Sequence, residues 1–314
     1  MCEIWTMGEM LVEIMRPRAG MELYLPGPFT GPFPSGAPTI FIDTVARLGH
    51  TSAIFGGVGK DDFGKNILDR LGKDGVSTKY IVEDQNKSTA VAFVTYFKDG
   101  SRKFIFHLKD TPAVKSKDFN IEDIKSPKFF HIMGSSLMVD EKYKEKIIET
   151  ALLFMQKGAK ISFDPNIRLE LLKEQIPAQV FGVILKNCSV IMPGISELKL
   201  ITGAEEIESG ISKLFEYPKL KIIALKKGFK GSTIYTRNEK FDCPAYKVDA
   251  VDPTGSGDCF DAAFLCGLLE SKSLKQSAQI ASAVGALNSM KLGPMEGEIS
   301  IKSVEKLINS NKRC

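Results

Sequence analysis

Residues 252–260 read DPTGSGDCF and run into the apolar stretch DAAFLCGLLE, which the pattern predicts as a helix. Two glycines, a serine and a carboxylate therefore stand at a helix mouth. The first turn of a helix leaves several backbone N–H groups without intrahelical partners and carries the positive end of the dipole. Glycines let that backbone come close to a ligand, so Gly255, Ser256 and Gly257 form a candidate anion hole for a phosphate. Asp258 behind it would repel a phosphate unless it has a task of its own. Taking a proton from a hydroxyl while the anion hole holds the phosphoryl group under attack is such a task. The same residues also make an ordinary helix cap, because aspartate suits a first turn. This segment alone leaves both readings open.

Other chemistries find less footing. A P-loop needs G-x-x-x-x-G-K-[ST], but GGVGKDD has Ile54 at the first glycine and Asp61 at the Ser/Thr position. No G-x-G-x-x-G follows a strand-like run. His50, His107 and His131 lie far apart, without metal-ligand spacing. Six cysteines (2, 188, 243, 259, 266 and 314) include no C-x-x-C pair and read as small thiols of a reducing compartment. The net charge of +4, with no long basic run, argues against a nucleic-acid surface. MCEIWTMGEM lacks the layout of a signal peptide, and no apolar run is long enough to span a bilayer, so a cytoplasmic protein without membrane contact is expected.

The elements that would carry these residues alternate. AIFGGVG (53–59) precedes a helical pattern with Phe63, Ile67, Leu68 and Leu71 on one face. KFFHIMG (128–134) precedes a stripe of Ile147, Ile148, Ala151, Leu152 and Met155. AKISFDPN, CSVIMPG and LKIIALKKG read as further strands. The expected fold is a three-layer α/β/α domain spanning 1–314 on a mostly parallel sheet. Residues of about 9–35, with strand-like EMLVEIM and MELYL, and of about 88–110, a hairpin turning at KDGSR, break the rhythm. Together they predict a small antiparallel β-lid over the strand ends.

DPTGSGDCFDAAF resembles the C-terminal signature of the ribokinase-like (PfkB) carbohydrate kinases, and PSGAPTIFIDTVARLG (34–49) resembles their N-terminal one. GGVGKDDFG, DPNIR (164–168), PGISE (193–197) and KKGFKGS (226–232) lie between them in the family's order, so the resemblance covers nearly the whole chain. The branch of 2-keto-3-deoxygluconate kinase-like and tagatose kinase-like members is the one it is most similar to. The resemblance implies an ATP- and Mg²⁺-dependent kinase with Asp258 as catalytic base and Gly255, Ser256 and Gly257 as anion hole. It places Lys226, Gly228, Gly231, Thr254, Gly255 and Gly257 beside the nucleotide, and lets the small-residue helix SAQIASAVGALNSM pack near the adenine. Glu197 matches a carboxylate that organises Mg²⁺ through water, although Gly194 stands where the family has Asn. A monovalent cation near Asp252 is a further expectation. On the sugar side it assigns Glu13, in place of a substrate-binding Asp, together with Gly36, Arg168 and Asp258.

The leading expectation is phosphorylation of a primary hydroxyl of a neutral ketohexose such as tagatose or fructose. Sugar-acid relatives carry an aromatic-x-Arg pattern in the lid. KFIFHLKDTPA puts Phe106 at the aromatic and Leu108 where the Arg would be. Loss of a partner for a buried charge typically costs about 3–5 kcal/mol, which a neutral sugar avoids. Ile40 replaces a polar sugar contact, so Asp43 or Asp110 is expected to help Glu13 bind hydroxyls. The alternatives are a sugar-acid kinase, for which Lys109 or Arg168 could supply the missing cation, a nucleoside kinase using Phe93, Tyr96, Phe104 and Phe106, and a non-catalytic sugar-binding regulator on the same fold. A homodimer through the lid is expected, because a sheet this small has an apolar face and open edges to cover.

Overall fold

The computed structural model describes residues 2–99, 101–172 and 177–311. Gly100, in the expected KDGSR turn, and Cys314 lie outside them. Thirteen strands are described. They are β1 (Ile4–Met7), β2 (Leu11–Met15), β3 (Thr30–Ser35), β4 (Ser52–Gly59), β5 (Ile81–Asp84), β6 (Ala90–Tyr96) and β7 (Arg102–His107). β8 (Phe129–Met133), β9 (Lys160–Asp164), β10 (Val190–Ile191), β11 (Ile222–Lys226), β12 (Ser232–Tyr235) and β13 (Lys240–Cys243) follow.

Nine of them make one sheet in the order β13-β12-β11-β10-β9-β8-β1-β4-β5, parallel from β11 to β5 and antiparallel at β11-β12-β13. Central strands such as IWTM and FFHIM are buried at every position, as expected for a parallel sheet covered on both faces. The strand period of two sorts their side chains between two cores. Ile4, Ile54 and Phe129 enter the core under the helices at 37–47, 256–269 and 274–289. Trp5, Phe55 and Phe130 enter the one under the helices at 141–156 and 177–187. That is the three-layer arrangement.

The second sheet, β3-β2-β6-β7, is the lid. Its outer pairings, β2 with β3 and β6 with β7, are antiparallel, while β2 and β6 run parallel where they join. They are parallel because β2 and β6 lie far apart in sequence, separated by an excursion through β4 and β5 of the main sheet. The strand expected in MELYL is absent. Residues 16–29 form a loop wrapped on the buried Arg16, whose guanidinium donates to the carbonyls of Glu22 (2.9 Å), Leu25 and Pro28 (3.0 Å). The strand partner of β2 is the Pro/Gly-rich TGPFPS instead, which pairs despite its composition because it is an edge.

The P-loop-like GGVGKDD is scaffolding. Asp61 caps the helix at 62–74 by accepting from the Gly64 N–H at 2.8 Å, and its carboxylate also accepts from Thr89. None of the described helices is long and apolar enough to cross a membrane.

Candidate active site

In parallel α/β sheets ligands bind beyond the carboxyl ends of the strands, where the strand order reverses. Here β1 is flanked by β4 on one side and β8 on the other, and the site is built from the residues just past those ends. Glu9 follows β1, Ser135 follows β8, Asn166 and Arg168 follow β9, and the helix at 256–269 enters from the same edge. Gly255 is the N-cap of that helix, with φ +76°. A Cβ there would lie 2.4 Å from the Pro294 carbonyl oxygen, so only glycine fits. Asn288 ties the turn to its neighbour by donating to the carbonyls of Thr254 (2.8 Å) and Pro294 (3.0 Å). Asp258 is buried in the first helical turn, and its Oδ1 accepts from Asn166 Nδ2 at 3.0 Å. Burial, and then the Asp164 charge, push its carboxyl up to about 7, against the pull of Arg168, Lys226 and Arg102.

One cavity collects most of the residues assigned on the sugar side. Glu13, Gly36, Phe106, Leu108, Arg168, Thr254, Gly255 and Asp258 all line it, as does Ile40. Glu13 accepts from Ser35 Oγ at 2.8 Å through Oε1, while its buried Oε2 has no partner among the described residues. Burial pushes the Glu13 carboxyl up to about 7, with Asp252 adding to the shift and Ser35 opposing it. The lid closes the cavity with Arg102, Phe104 and Phe106, alternate residues of β7. Asp43 and Asp110 do not line it. Asp43 is fully buried in the helix at 37–47, one turn beyond the cavity-lining Ile40 and 3.8 Å from both Arg47 and Arg70. Asp110 sits with φ +61° in the exposed turn after β7. Lys109 lines a neighbouring cavity, and Phe93 lies on the opposite face of the lid, across from Ile105.

The residues assigned to nucleotide and metal fall into place differently. Lys226 Nζ pairs with Asp164 (2.8 Å) and Asp261 (3.0 Å). Burial opposes its charge, but the two carboxylates override that and hold it protonated. One lysine serves two aspartates: its charge holds Asp164 down at about 2, while burial pushes the Asp261 carboxyl well above the usual carboxylate range. This ion cluster lies against the back of the candidate anion hole, since a Cβ at Gly257 would stand 3.6 Å from Lys226 Nζ. The buried Ser256 Oγ has no partner among the described residues. Gly228 and Gly231 make the turn between β11 and β12. A Cβ at Gly231 would lie 2.1 Å from the Cys243 carbonyl, so contact with β13 already requires that glycine. Glu197 caps the helix at 195–202, accepting from the N–H groups of Gly194 (2.6 Å) and Ile167 (2.8 Å), and burial raises its pKa. Among the described residues no three His, Cys, Asp or Glu side chains are placed to hold a metal.

The model of the pfkB family of carbohydrate kinases matches residues 34–300. The chain belongs to that family. This pfkB kinase is 31% identical to "Probable fructokinase-4" of Arabidopsis thaliana over 98% of its own length and 97% of the relative's. It superposes with a TM-score of 0.89 on an E. coli protein provisionally named Ribokinase II, solved with ATP and Mg²⁺, at 35% identity with 99% and 100% of the two chains covered. A fructokinase from Xylella fastidiosa with bound ATP gives a TM-score of 0.84 at 25% identity, covering 99% of each chain. None of these three bears the name of a 2-keto-3-deoxygluconate or tagatose kinase. The kinase site also contains residues to which the motifs gave no role. Glu9 is buried and held by Ser135 Oγ (2.7 Å) and Ser136 Oγ, and burial raises its pKa. Its signal was its place directly after a parallel strand. Arg102 carried no such signal, because only folding the lid over brings β7 to the strand ends.

Proposed function

We propose that this chain, acting as one kinase domain, transfers the γ-phosphoryl group of ATP to a primary hydroxyl of a neutral ketohexose, with fructose the first candidate. One observation carries the reading. Buried Asp258 lies behind a glycine-capped helix N-terminus and faces a cavity that also holds Glu13 and Arg168. In this reading the sugar hydroxyl lies against Asp258, which takes its proton as the oxygen attacks the γ-phosphorus and ADP leaves with the bridging oxygen. The 255–257 backbone N–H groups then stabilise the charge on the phosphoryl oxygens. Full-length similarity to a fructokinase supports the ketohexose.

The cavity's own charges bear on the choice between sugar and sugar acid. Glu9, Glu13 and Asp258 line it together with Arg102 and Arg168, while Leu108 is buried and apolar. An acid substrate would bring a fourth carboxyl group to two guanidiniums, and a neutral sugar would not. The kcat/KM for fructose or tagatose is therefore expected to exceed that for 2-keto-3-deoxygluconate at least tenfold, by ADP release under identical conditions. A tenfold preference for the acid would overturn the assignment.

Mg²⁺ fits this site as an ion carried on the ATP phosphates, because Glu197 keeps lone pairs beside its two backbone N–H partners while no three ligating side chains among the described residues make a cage. When bound it would neutralise phosphate charge. A monovalent cation at Asp252 would find one carboxylate lone pair left, on Oδ2. That carboxylate already accepts from Tyr96 Oη (2.6 Å), Thr254 N–H (2.9 Å) and Gly293 N–H (2.9 Å).

The reading includes a homodimer through the outer face of the lid. Ile105 and Phe29 are exposed there, and Phe29 packs edge-on against Phe93, opposite Ile105 in the sheet. Light scattering at micromolar concentration is expected to give twice the chain mass for the wild type and the chain mass for Ile105→Glu. A wild-type monomer would dismiss the dimer.

A further inference from the structure

We propose that Asn166 is a positioning residue, whose side-chain amide holds the Asp258 carboxylate in the orientation and ionised form that phosphoryl transfer needs. The inference rests on the kinase reading of Asp258. Asn166 lies two residues beyond β9 with φ +38°, a left-handed conformation that asparagine tolerates better than most residues. Asp164 fixes it there. Oδ1 of Asp164 accepts from the Asn166 backbone N–H at 3.1 Å, and Oδ2 accepts from its Nδ2 at 3.3 Å. The same Nδ2 donates to Asp258 Oδ1 at 3.0 Å. Among the described residues this is the only hydrogen bond the Asp258 carboxylate receives. Asp164 is in turn locked by Lys226, so a rigid chain runs from the buried ion cluster through Asn166 to the base.

The residue type suits the task. A lysine or arginine at this point would pair with Asp258 and suppress its basicity, and an aliphatic side chain would leave it free to rotate. A neutral amide donor fixes one oxygen and leaves the other for the substrate. The charged groups facing Asp258 come from every side. They are Asp164 on β9, Lys226 on β11, Arg168 after β9, Arg102 on the lid, Glu13 and Glu9 across the cavity, and Asp261 further along its own helix. None of these donates to the carboxylate, so its geometry depends on Asn166.

A hydrogen bond donated to a carboxylate favours the ionised form, so removing it raises the pKa. Asp258 acts as a base in its ionised form, and the acid limb of kcat/KM against pH should move to higher pH. Asn166→Gly keeps the left-handed backbone without strain and deletes the amide. Its acid limb is expected about one pH unit higher, the scale of one hydrogen bond to a charged group. Asn166→Asp, of the same shape, should shift it further by adding a like charge. Titration of the protein labelled with 13C at the aspartate carboxyls, with Asp258 assigned by the signal lost in Asp258→Asn, reads the same shift without turnover. Aspartate-only labelling keeps Glu13 out of the spectrum. An upward shift in both measurements supports the proposal. An unmoved Asp258 midpoint, or a kcat/KM profile lowered equally at every pH, overturns it. If the wild type phosphorylates no sugar, the kinase reading fails while the carboxyl titration still decides the role of Asn166. Should Asn166→Gly not fold, judged by circular dichroism, Asn166→Ser, which withdraws the amide without adding a charge, decides between the same two outcomes.

Discussion

Asp258→Asn is expected to lower kcat by at least about 10²-fold, the low end for loss of a positioned general base, while ATP affinity and melting temperature stay close to wild type. The asparagine keeps the shape that fills the buried first turn of the helix and can still accept from Asn166. It cannot take a proton. Nothing in the substitution touches the backbone N–H groups of 255–257, so the nucleotide should bind as before. The wild-type pH profile adds a second check. Burial and Asp164 raise the Asp258 carboxyl to about 7, so below that pH the base is protonated and kcat/KM should fall tenfold per unit. Burial also raises Glu13 to about 7, and the two carboxyls line one cavity, so the limb belongs to the pair. In Asp258→Asn the residual activity should lose the Asp258 share of that limb. A well-folded mutant with near-normal turnover would remove Asp258 from the chemistry.

Lys226→Met should be the most destabilising single change in the molecule outside the apolar core. Lys226 is the only cation in contact with Asp164 and Asp261 among the described residues, and both carboxylates are fully buried. Removing one partner of a buried ion pair typically costs about 3–5 kcal/mol, because the remaining charge is left without compensation. Lys226 Nζ is shared by both carboxylates, so Asp164→Asn and Asp261→Asn should each cost less than Lys226→Met, which leaves the two aspartates without a partner. Denaturant unfolding of the three variants checks this, and equal stability of Lys226→Met and wild type would refute it. Lys65→Met, which breaks an exposed pair with Asp69, is the control and should change little.

Much of the main sheet was legible in the sequence, because buried parallel strands are short apolar runs and the helices between them carry a 3.6-residue stripe. The lid was half legible. EMLVEIM and the 88–110 hairpin became strands. MELYL did not, because Arg16 draws the carbonyls of that segment around its guanidinium instead of leaving them to a sheet. Propensity cannot register one buried arginine elsewhere in the chain. Asp43 stays out of the cavity for a similar reason, since it lies one helical turn beyond Ile40, beside Arg47 and Arg70.

The sequence by itself placed the candidate anion hole and its candidate base. Gly255 and Asp258 are close in the chain, and a helix N-terminus is a local structure whose chemistry follows from residue types. It also determined the family, through motifs in order, and showed no P-loop motif. Only the tertiary structure decided what surrounds that base. Glu9, Glu13, Arg102, Asn166 and Arg168 meet Asp258 from separate strands and loops. Their approach depends on strand order, on the parallel joining of β2 to β6 and on the fold of the lid. These are long-range packing outcomes, and the burial they create raises the carboxyls of Asp258 and Glu13.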